Sequence, residues 1–408
     1  METQPRNLPG DLPTITTGRN TRSKTSENGK DNALLPIPTD LVFEIFSRLP
    51  VKSIAICRCV SKIWDSLLRR QCFTELFLSR SCARPPRLLL VYQEGGELFF
   101  SSAPQPDVNA SDPVVTATHH SKLSIDAYVP GGAFEISGLE HGLVGLSNNW
   151  LTWNRNFPSH LICNPSTGQL LPLTKVNTRG VMWTSVFGFD PIDEQVKVLS
   201  MSGGGYGLTN QVMTSGTGTT LSWRMINCGS LLSYYPHVGG RCINGVLYST
   251  AFEVSTKTRM LVCFDVRSEK LSFMKDEKFF FERTMVNYNG KLGLLRFEEG
   301  VSGDESSKSV SMWVLEDIGK EEWSEHVYVL PALWKDIVGS AKLSFVGMTS
   351  RDEIVMQSKG FPPRPFHLFY FDTVSNTIVR VEIQGMDHVS EFNKIHIFLD
   401  HVENVKLM

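Results

Sequence analysis

The sequence predicts an α+β multidomain protein, in which a small three-helix segment precedes a large all-β, propeller-like domain. Apolar residues between positions 34 and 74 recur with helical spacing. From Arg87 onward, short apolar or alternating runs are separated by clusters of Gly, Asn, Pro, Ser and Asp, which is typical of many short strands. A turn-and-strand unit recurs in this region and favours a radial array of about six blades. Because the units are irregularly spaced, a distorted β-sandwich remains the alternative.

The first 33 residues contain few apolar side chains and mix both signs of charge. Such a segment cannot bury enough surface to offset the entropy of ordering, so we expect it to be disordered. The expected domains are a tail at 1–33, a helical segment at 34–78 and a β domain at 79–408. A helical segment of this size is too small to hold a core alone, which suggests that it docks on something else.

The first predicted helix follows Thr39, which is a suitable N-cap residue. Leu41, Ile45 and Leu49 are each four residues apart, which places them on one stripe of the helix. Pro50 is expected to end the helix, because proline lacks an amide donor and clashes with the preceding turn.

Two further helices are predicted in the same segment. Ser53 can cap a short second helix, and Ser61 can cap a third that contains Trp64. Phe73 and the apolar residues after it extend the apolar surface toward the β domain.

One turn unit recurs in the β region: an Asn or Asp ends a strand, a turn rich in Pro, Ser and Thr follows, and a new strand begins. The copies are CNPSTGQLLPL (163–173), FDPIDEQVKVL (189–199), FDVRSEKLSFM (264–274) and FDTVSNTIVRV (371–381). The Asn or Asp side chain is expected to accept backbone amides across the turn. Asn244–Gly245 and Asn289–Gly290 predict further tight turns. The Gly-rich stretch Ser202–Gly218 is interpreted as a loop.

Composition argues against several functional classes. The net charge is −2 and 20% of residues are charged, so the sequence does not indicate binding to nucleic acid. No apolar run approaches the length of a membrane span. The eight cysteines form no CxxC pair and no zinc spacing, so we expect reduced, mostly buried thiols, with no metal and no cofactor. His119–His120 is interpreted as a surface pair.

Short motifs of the helical segment occur in a characteristic order. They are Leu35–Pro36, Asp40–Leu41, Glu44–Ile45, Arg48–Leu49–Pro50–Val51–Lys52–Ser53, and Arg58–Cys59–Val60–Ser61–Lys62 with Trp64 and Phe73. This set resembles an F-box. Downstream, CNPSTGQLLPL, GFDPIDEQVKVLSM, LVCFDVRSEKLSF and YNGKLGLL are similar to the third type of plant F-box-associated interaction domain. One departure is Cys57, because the family commonly has Phe before the Arg.

The resemblance implies a substrate receptor of an SCF-type (Skp–cullin–F-box) ubiquitin ligase. The expected reduced thiols indicate a protein of the cytoplasm, the nucleus or both. The F-box would bind a Skp-family adaptor that bridges to the cullin, and the β domain would recruit an unknown protein substrate. The receptor itself would be non-catalytic and would act through proximity. The matching positions imply these adaptor contacts: Pro36, Leu41, Ile45, Leu49, Pro50, Val60 and Trp64.

Other interpretations stay open. Leu41, Ile45 and Leu49 could pack on the β domain instead of an adaptor. The chain could bind the adaptor outside a ligase, or it could be a propeller hydrolase with a fused helical segment, although no motif supports the hydrolase. Within the β domain, Trp150 and Trp153 are candidates for a partner contact, because Trp is enriched in binding hot spots.

Overall fold

The computed structural model divides the chain into two compact units, residues 1–46 and residues 47–408. It describes residues 37–106, 113–128, 134–138, 140–147, 160–174, 176, 182–193, 195–203, 209–215, 221–226, 234–275, 283–298, 308–360, 364–387, 389–390 and 393–406. The predicted tail, Pro36, Trp150 and Trp153 lie outside these residues.

The first unit contains helix α1, Thr39–Phe46. The carbonyl of Pro38 accepts the amides of Leu41 and Val42, each at 3.1 Å, so the helix starts one residue earlier than expected. It also ends earlier, because a residue that precedes proline is disfavoured in the helical conformation and Leu49 precedes Pro50. Leu49 therefore does not continue the helical stripe.

The second unit begins with three helices: α2 (Val51–Val60), α3 (Lys62–Leu68) and α4 (Gln71–Cys82). The predicted cap at Ser53 is wrong, because α2 starts directly after Pro50, whose fixed φ suits the position before a helix. The predicted cap at Ser61 is confirmed, since its hydroxyl accepts the amide of Trp64 at 3.1 Å. Helix α4 extends the helical segment beyond the three expected helices.

Six sheets follow, here called blades 1 to 6 in chain order. Blade 1 contains β25 (His396–His401), β1 (Arg87–Glu94), β2 (Glu97–Pro104) and β4 (Thr118–Ser124). Blade 2 contains β5 (Glu135–Gly138), β6 (Val144–Ser147), β7 (His160–Asn164) and β8 (Gln169–Pro172). Blade 3 contains β9 (Met182–Asp190), β10 (Gln195–Gly203), β11 (Thr209–Ser215) and β12 (Arg224–Met225).

In the remaining blades, consecutive strands pair antiparallel, and blade 6 gains a fifth strand, β3. Blade 4 contains β13 (Tyr234–Ile243), β14 (Val246–Glu253), β15 (Arg259–Asp265) and β16 (Lys270–Lys275). Blade 5 contains β17 (Thr284–Tyr288), β18 (Lys291–Glu298), β19 (Ser309–Asp317) and β20 (Glu322–Val329). Blade 6 contains β21 (Leu343–Met348), β22 (Glu353–Ser358), β23 (His367–Asp372), β24 (Thr377–Gln384) and β3 (Val114–Thr116).

The six blades form a closed ring. One hydrophobic cluster lies between each pair of neighbouring blades, and the sixth cluster joins blade 6 back to blade 1. Strand pairing also closes the ring. The last strand, β25, pairs with the first, β1, and β3 leaves the blade 1 segment to pair in parallel with β24. The prediction of a six-bladed propeller is confirmed, and the sandwich alternative is wrong.

The recurring turn unit has the predicted chemistry. In all four copies the Asn or Asp carboxamide or carboxylate oxygen accepts backbone amides of the turn, as in the bonds from Val374 and Ser375 to Asp372 at 2.8 and 3.1 Å. Asp317 makes a fifth such turn that the sequence analysis did not identify. At Asn289–Gly290 both residues have positive φ, 49° and 81°, as a tight hairpin of the type I′ class requires.

Two sequence interpretations of the β region need correction. The stretch Ser202–Gly218 is not one loop, because β11 runs through it and buries Val212 and Met213 between blades. The thiols are not mostly buried: Cys163 and Cys263 are buried, but the described cysteines of the helical segment are exposed or half-buried, because short helices leave much of their surface uncovered.

The propeller has two different faces. Within each blade we number the strands 1 to 4 in the order given above. The turn face carries the hairpins that join strands 1 and 2 or strands 3 and 4, such as residues 244–245, 289–290 and 373–376. Adjacent hairpins touch there, since the Asn244 amide donates to the Gly290 carbonyl at 3.0 Å. The opposite loop face carries the connections between consecutive blades, which run 8 to 13 residues.

Candidate partner-binding surfaces

Helix α1 leaves two large apolar side chains exposed. Leu41 is 54% exposed and Ile45 is 53% exposed, while Val42, Phe43 and Phe46 are buried. The one-turn spacing of Leu41 and Ile45 puts both side chains on the same stripe. This stripe is therefore the exposed apolar side of α1, opposite the side that is buried.

Helices α2 and α3 form a second exposed apolar region, within the second unit. Ile56 is 65% exposed and Val60 is 63% exposed, one turn apart on α2, and Ile63 on α3 is also exposed. Sequence reasoning identified Val60 but missed Ile56 and Ile63. The i, i+4 spacing of Ile56 and Val60 on a helix whose buried residues are Val51 and Ile54 was the signal that could have found Ile56.

The other predicted adaptor contacts in the second unit differ in exposure. Pro50 is exposed, whereas Leu49 and Trp64 are half-buried. The Arg84 guanidinium donates to the carbonyls of Ser47 and Leu49 at 3.1 and 3.4 Å, which fixes the backbone before Pro50. We expect Leu49 and Trp64 to contribute partly to the packing of this unit.

A shallow hollow of about 560 Å³ lies where α2 meets α3. Its lining is mixed in charge and includes Arg58, Val60, Lys62, Asp65 and Arg69. Arg69 and Asp65 form an ion pair at 2.8 Å across one helical turn. Burial, and then the nearby Arg69, lower the pKa of Arg58, while Asp65 acts in the opposite direction. The apolar region is thus bordered by charged side chains, as protein interfaces commonly are.

The loop face of the propeller carries a further candidate surface. It is centred on helix α5 (Trp334–Val338) in the connection from blade 5 to blade 6. Leu333 is 66% exposed just before the buried Trp334. The Lys308 ammonium lies 4.4 Å from the Phe297 ring centroid and 5.7 Å from that of Trp334. Phe297 in turn stacks on Phe345 with centroids 4.1 Å apart. An exposed leucine and a cluster of aromatic rings therefore lie in this part of the loop face, which makes it a candidate contact surface.

The sites that the sequence analysis set aside have these positions. His119 is exposed on β4, while His120 is half-buried and shares a hydrogen bond with the Ser102 hydroxyl. The described residues contain no group of three or more His, Cys, Asp or Glu side chains that could hold a metal ion. Across the same residues, no helix is both long and apolar enough to cross a bilayer.

His160 makes the stability of the propeller depend on pH. The side chain is fully buried between blades 2 and 3, where its ring lies 5.5 Å from that of Trp223, and this burial lowers its pKa to about 3. In the unfolded chain His160 is protonated below about pH 6.5, whereas in the folded chain it stays neutral down to about pH 3. The contribution of His160 to the free energy of unfolding is therefore fully present above about pH 6.5. It falls by about 1.4 kcal/mol per pH unit as the pH decreases from 6.5 toward 3. We expect His160→Gln to reduce the pH slope of the unfolding free energy, measured in urea between pH 6 and 4, by about 1.4 kcal/mol per unit. Part of the slope should remain, because burial also lowers the pKa of His120, His396 and His401. An unchanged slope would contradict the prediction.

Comparisons with known proteins agree with this architecture. Residues 34–76 match the F-box domain, and residues 87–402 match the F-box associated beta propeller domain. F-box protein DOR of Arabidopsis thaliana is 48% identical over 391 residues, which cover 93% of this chain and 96% of that protein. A second F-box protein of the same plant is 41% identical over 418 residues, which cover 100% of this chain and 99% of that protein.

Solved structures give no comparable guide. A prolyl endopeptidase aligns over 79% of this chain and 47% of its own length, but with 11% identity and a TM-score of 0.36, which supports no argument about activity. The family assignment rests instead on the two domain matches and on the long alignments to F-box proteins. The chain belongs to the family of plant F-box proteins in which an N-terminal F-box is followed by an F-box-associated β-propeller domain.

Proposed function

We propose that this protein is the substrate-recognition subunit of an SCF-type ubiquitin ligase. The observation that carries the proposal is the set of exposed apolar side chains on an F-box: Leu41 and Ile45 on α1, and Ile56 and Val60 on α2. Exposed apolar patches mark interaction surfaces, and the match to the F-box domain supports a Skp-family adaptor as the partner. The cullin joins through the adaptor.

The loop face is the proposed site for the protein substrate. Loops on a rigid scaffold commonly carry recognition, and the strand ends that lead from one blade to the next lie on this face. Helices α2 to α4 join the propeller on the other side: β1 begins at Arg87, shortly after α4, and Arg87 pairs with His401 at the turn-face end of blade 1. A protein bound at the loop face does not compete for the same surface as these helices.

The receptor contributes no bond-breaking chemistry in this proposal. Its role is to raise the effective concentration of substrate lysines beside the charged ubiquitin-conjugating enzyme. No cofactor is needed for that role, and neither nucleic acid nor membrane takes part. We place the activity in the cytoplasm, the nucleus or both.

Reconstitution tests the proposal. The full chain is co-expressed with a Skp-family adaptor and a cullin, purified through a tag on the chain, and assayed for ubiquitin transfer to co-purifying proteins. We expect a complex that contains both adaptor and cullin. A complex with adaptor alone, which excludes cullin even when cullin is in excess, would favour the alternative of an adaptor-binding protein outside a ligase. Failure to bind the adaptor would overturn the proposal.

A further inference from the structure

The turn residue of blade 2 differs from its counterparts. The hairpins that join strands 3 and 4 begin with aspartate in blades 4, 5 and 6, at Asp265, Asp317 and Asp372, but with Asn164 in blade 2. In each of these turns one side-chain oxygen accepts amides of the turn, and an aspartate does this as well as an asparagine. The turn itself therefore does not require an amide at 164.

The additional contacts of Asn164 explain its identity. Its carboxamide oxygen accepts the amides of Ser166 and Thr167 at 3.0 and 3.3 Å, and its nitrogen donates to the carbonyls of Asn404 and Lys406 at 3.1 and 3.0 Å. Asn164 is fully buried. Only a side chain that both accepts and donates satisfies this set, and aspartate has no donor.

The C-terminal segment, residues 402–406, is held by blade 2 at further points. The backbone amide of Asn404 donates to the Ser166 hydroxyl at 3.1 Å. The side-chain amide of Asn404 donates to the His141 carbonyl at 2.9 Å. Asn404 and Val405 are buried, although they lie near the end of the chain. One side of the C-terminal segment is thus fixed to the propeller.

The other side of the C-terminal segment holds the helices. The Arg58 guanidinium on α2 donates to the carbonyls of Val405 at 3.1 Å and Leu68 at 2.7 Å. Arg84 pairs with the Glu403 carboxylate at 3.1 Å, and the Glu403 amide donates to the Ser81 hydroxyl at 2.9 Å. The contacts to Arg58 and Arg84 are charge-assisted, which makes them the stronger ones.

We propose that the C-terminal segment is a strut that fixes helices α2 to α4 to blade 2, and that the Asn164 carboxamide is the positioning group on which the strut depends. Without it, the helices lose the contacts through Arg58, Ser81 and Arg84 and can pivot about residues 83–86, which lead into β1. The consequence of the strut for ubiquitin transfer rests on the proposed function. A fixed angle between the helices and the propeller presents the same substrate lysines to the conjugating enzyme in every complex.

The test measures geometry directly, so it does not depend on ligase activity. Spin labels are attached through noncanonical amino acids, so that the native cysteines stay unlabelled. One label replaces Ser66 on α3 and the other replaces Val374 on blade 6. Double electron–electron resonance then measures the distance between the two labels in the full chain. Both positions are exposed. In the wild type we expect a single narrow distribution.

The decisive variant is Asn164→Asp, which keeps the turn acceptor but places a carboxylate oxygen against the Asn404 and Lys406 carbonyls. We expect the distance distribution to broaden, while the unfolding midpoint of the propeller stays near that of the control. The control is the reciprocal Asp265→Asn in blade 4, where the side-chain oxygen accepts the amide of Ser268 at 2.6 Å, and it should leave the distribution narrow.

A second variant keeps the inference falsifiable if the first perturbs blade 2. Deletion of residues 403–408 removes the strut and retains β25, and it should broaden the distribution in the same way. A narrow distribution in both the deletion and Asn164→Asp would overturn the inference. In either case, reconstitution with adaptor and cullin still decides the proposed function, because adaptor binding does not require the strut.

Discussion

Replacing Val60 with aspartate is expected to remove most of the affinity for a Skp-family adaptor. Val60 is 63% exposed at the end of α2, so the substitution leaves no cavity and should not unfold the helix. In the complex, however, it would place a carboxylate in a desolvated apolar contact, which is strongly unfavourable. A loss of hot-spot size is about 2 kcal/mol or more, and we expect the buried carboxylate to cause such a loss, which corresponds to about a 30-fold rise in Kd.

The matched control for this prediction is Val374→Asp. Val374 is 83% exposed in a turn of blade 6, so it receives the same chemical change at a site with no role in the proposed adaptor contact. Calorimetric titration of the adaptor should give a wild-type Kd for the control. Equal affinities for the two variants would show that the exposed part of α2 is not the adaptor site.

Ile56→Asp extends the same argument to a residue that sequence comparison with the F-box pattern did not single out. Its exposure matches that of Val60, and the two side chains are one helical turn apart. If the adaptor covers both residues, the double variant should lose less than the sum of the two single losses, because neighbouring interface residues are coupled.

Local chemistry explains which parts of this structure were predictable. The cap at Ser61, the Asx turn at Asp372 and the paired positive φ angles at Asn289–Gly290 each depend on residues within four positions of one another. The sequence therefore contains their whole cause. Because such turns recur along the chain, a radial array of blades could also be inferred, and the length of residues 79–408 indicated about six of them.

Contacts between distant segments were not predictable. Arg87 pairs with His401, and Val114 of β3 pairs with Glu382, yet nothing near either residue indicates its partner. The contact from Asn164 to Asn404 has the same character, and its only trace in the sequence is an asparagine where the other turns have aspartate. For the adaptor surface, periodicity placed Leu41 and Ile45 correctly on one stripe, but only burial of the opposite side of α1 shows that this stripe is exposed.

Deletion of residues 396–408 is expected to prevent the propeller from folding, in contrast to deletion of residues 403–408. The longer deletion removes β25, which supplies the first strand of blade 1 and pairs with β1. It also removes Ile397 from the cluster between blades 6 and 1, and exposes the apolar residues packed there. The net stability of a domain is only about 5–15 kcal/mol, and loss of a closing strand exceeds what such a margin tolerates.

Point substitutions at Ile397 separate closure from chain length. Ile397→Asp places a charge in the buried cluster and should abolish cooperative unfolding, whereas Ile397→Val should cost about 0.5–1.5 kcal/mol. Urea unfolding followed by circular dichroism, with gel filtration of each variant, measures both. Wild-type unfolding midpoints for Ile397→Asp and for the longer deletion would mean that β25 is not needed for closure. In that case β3, which joins the blade 1 segment to blade 6, would be the element that holds the ring together.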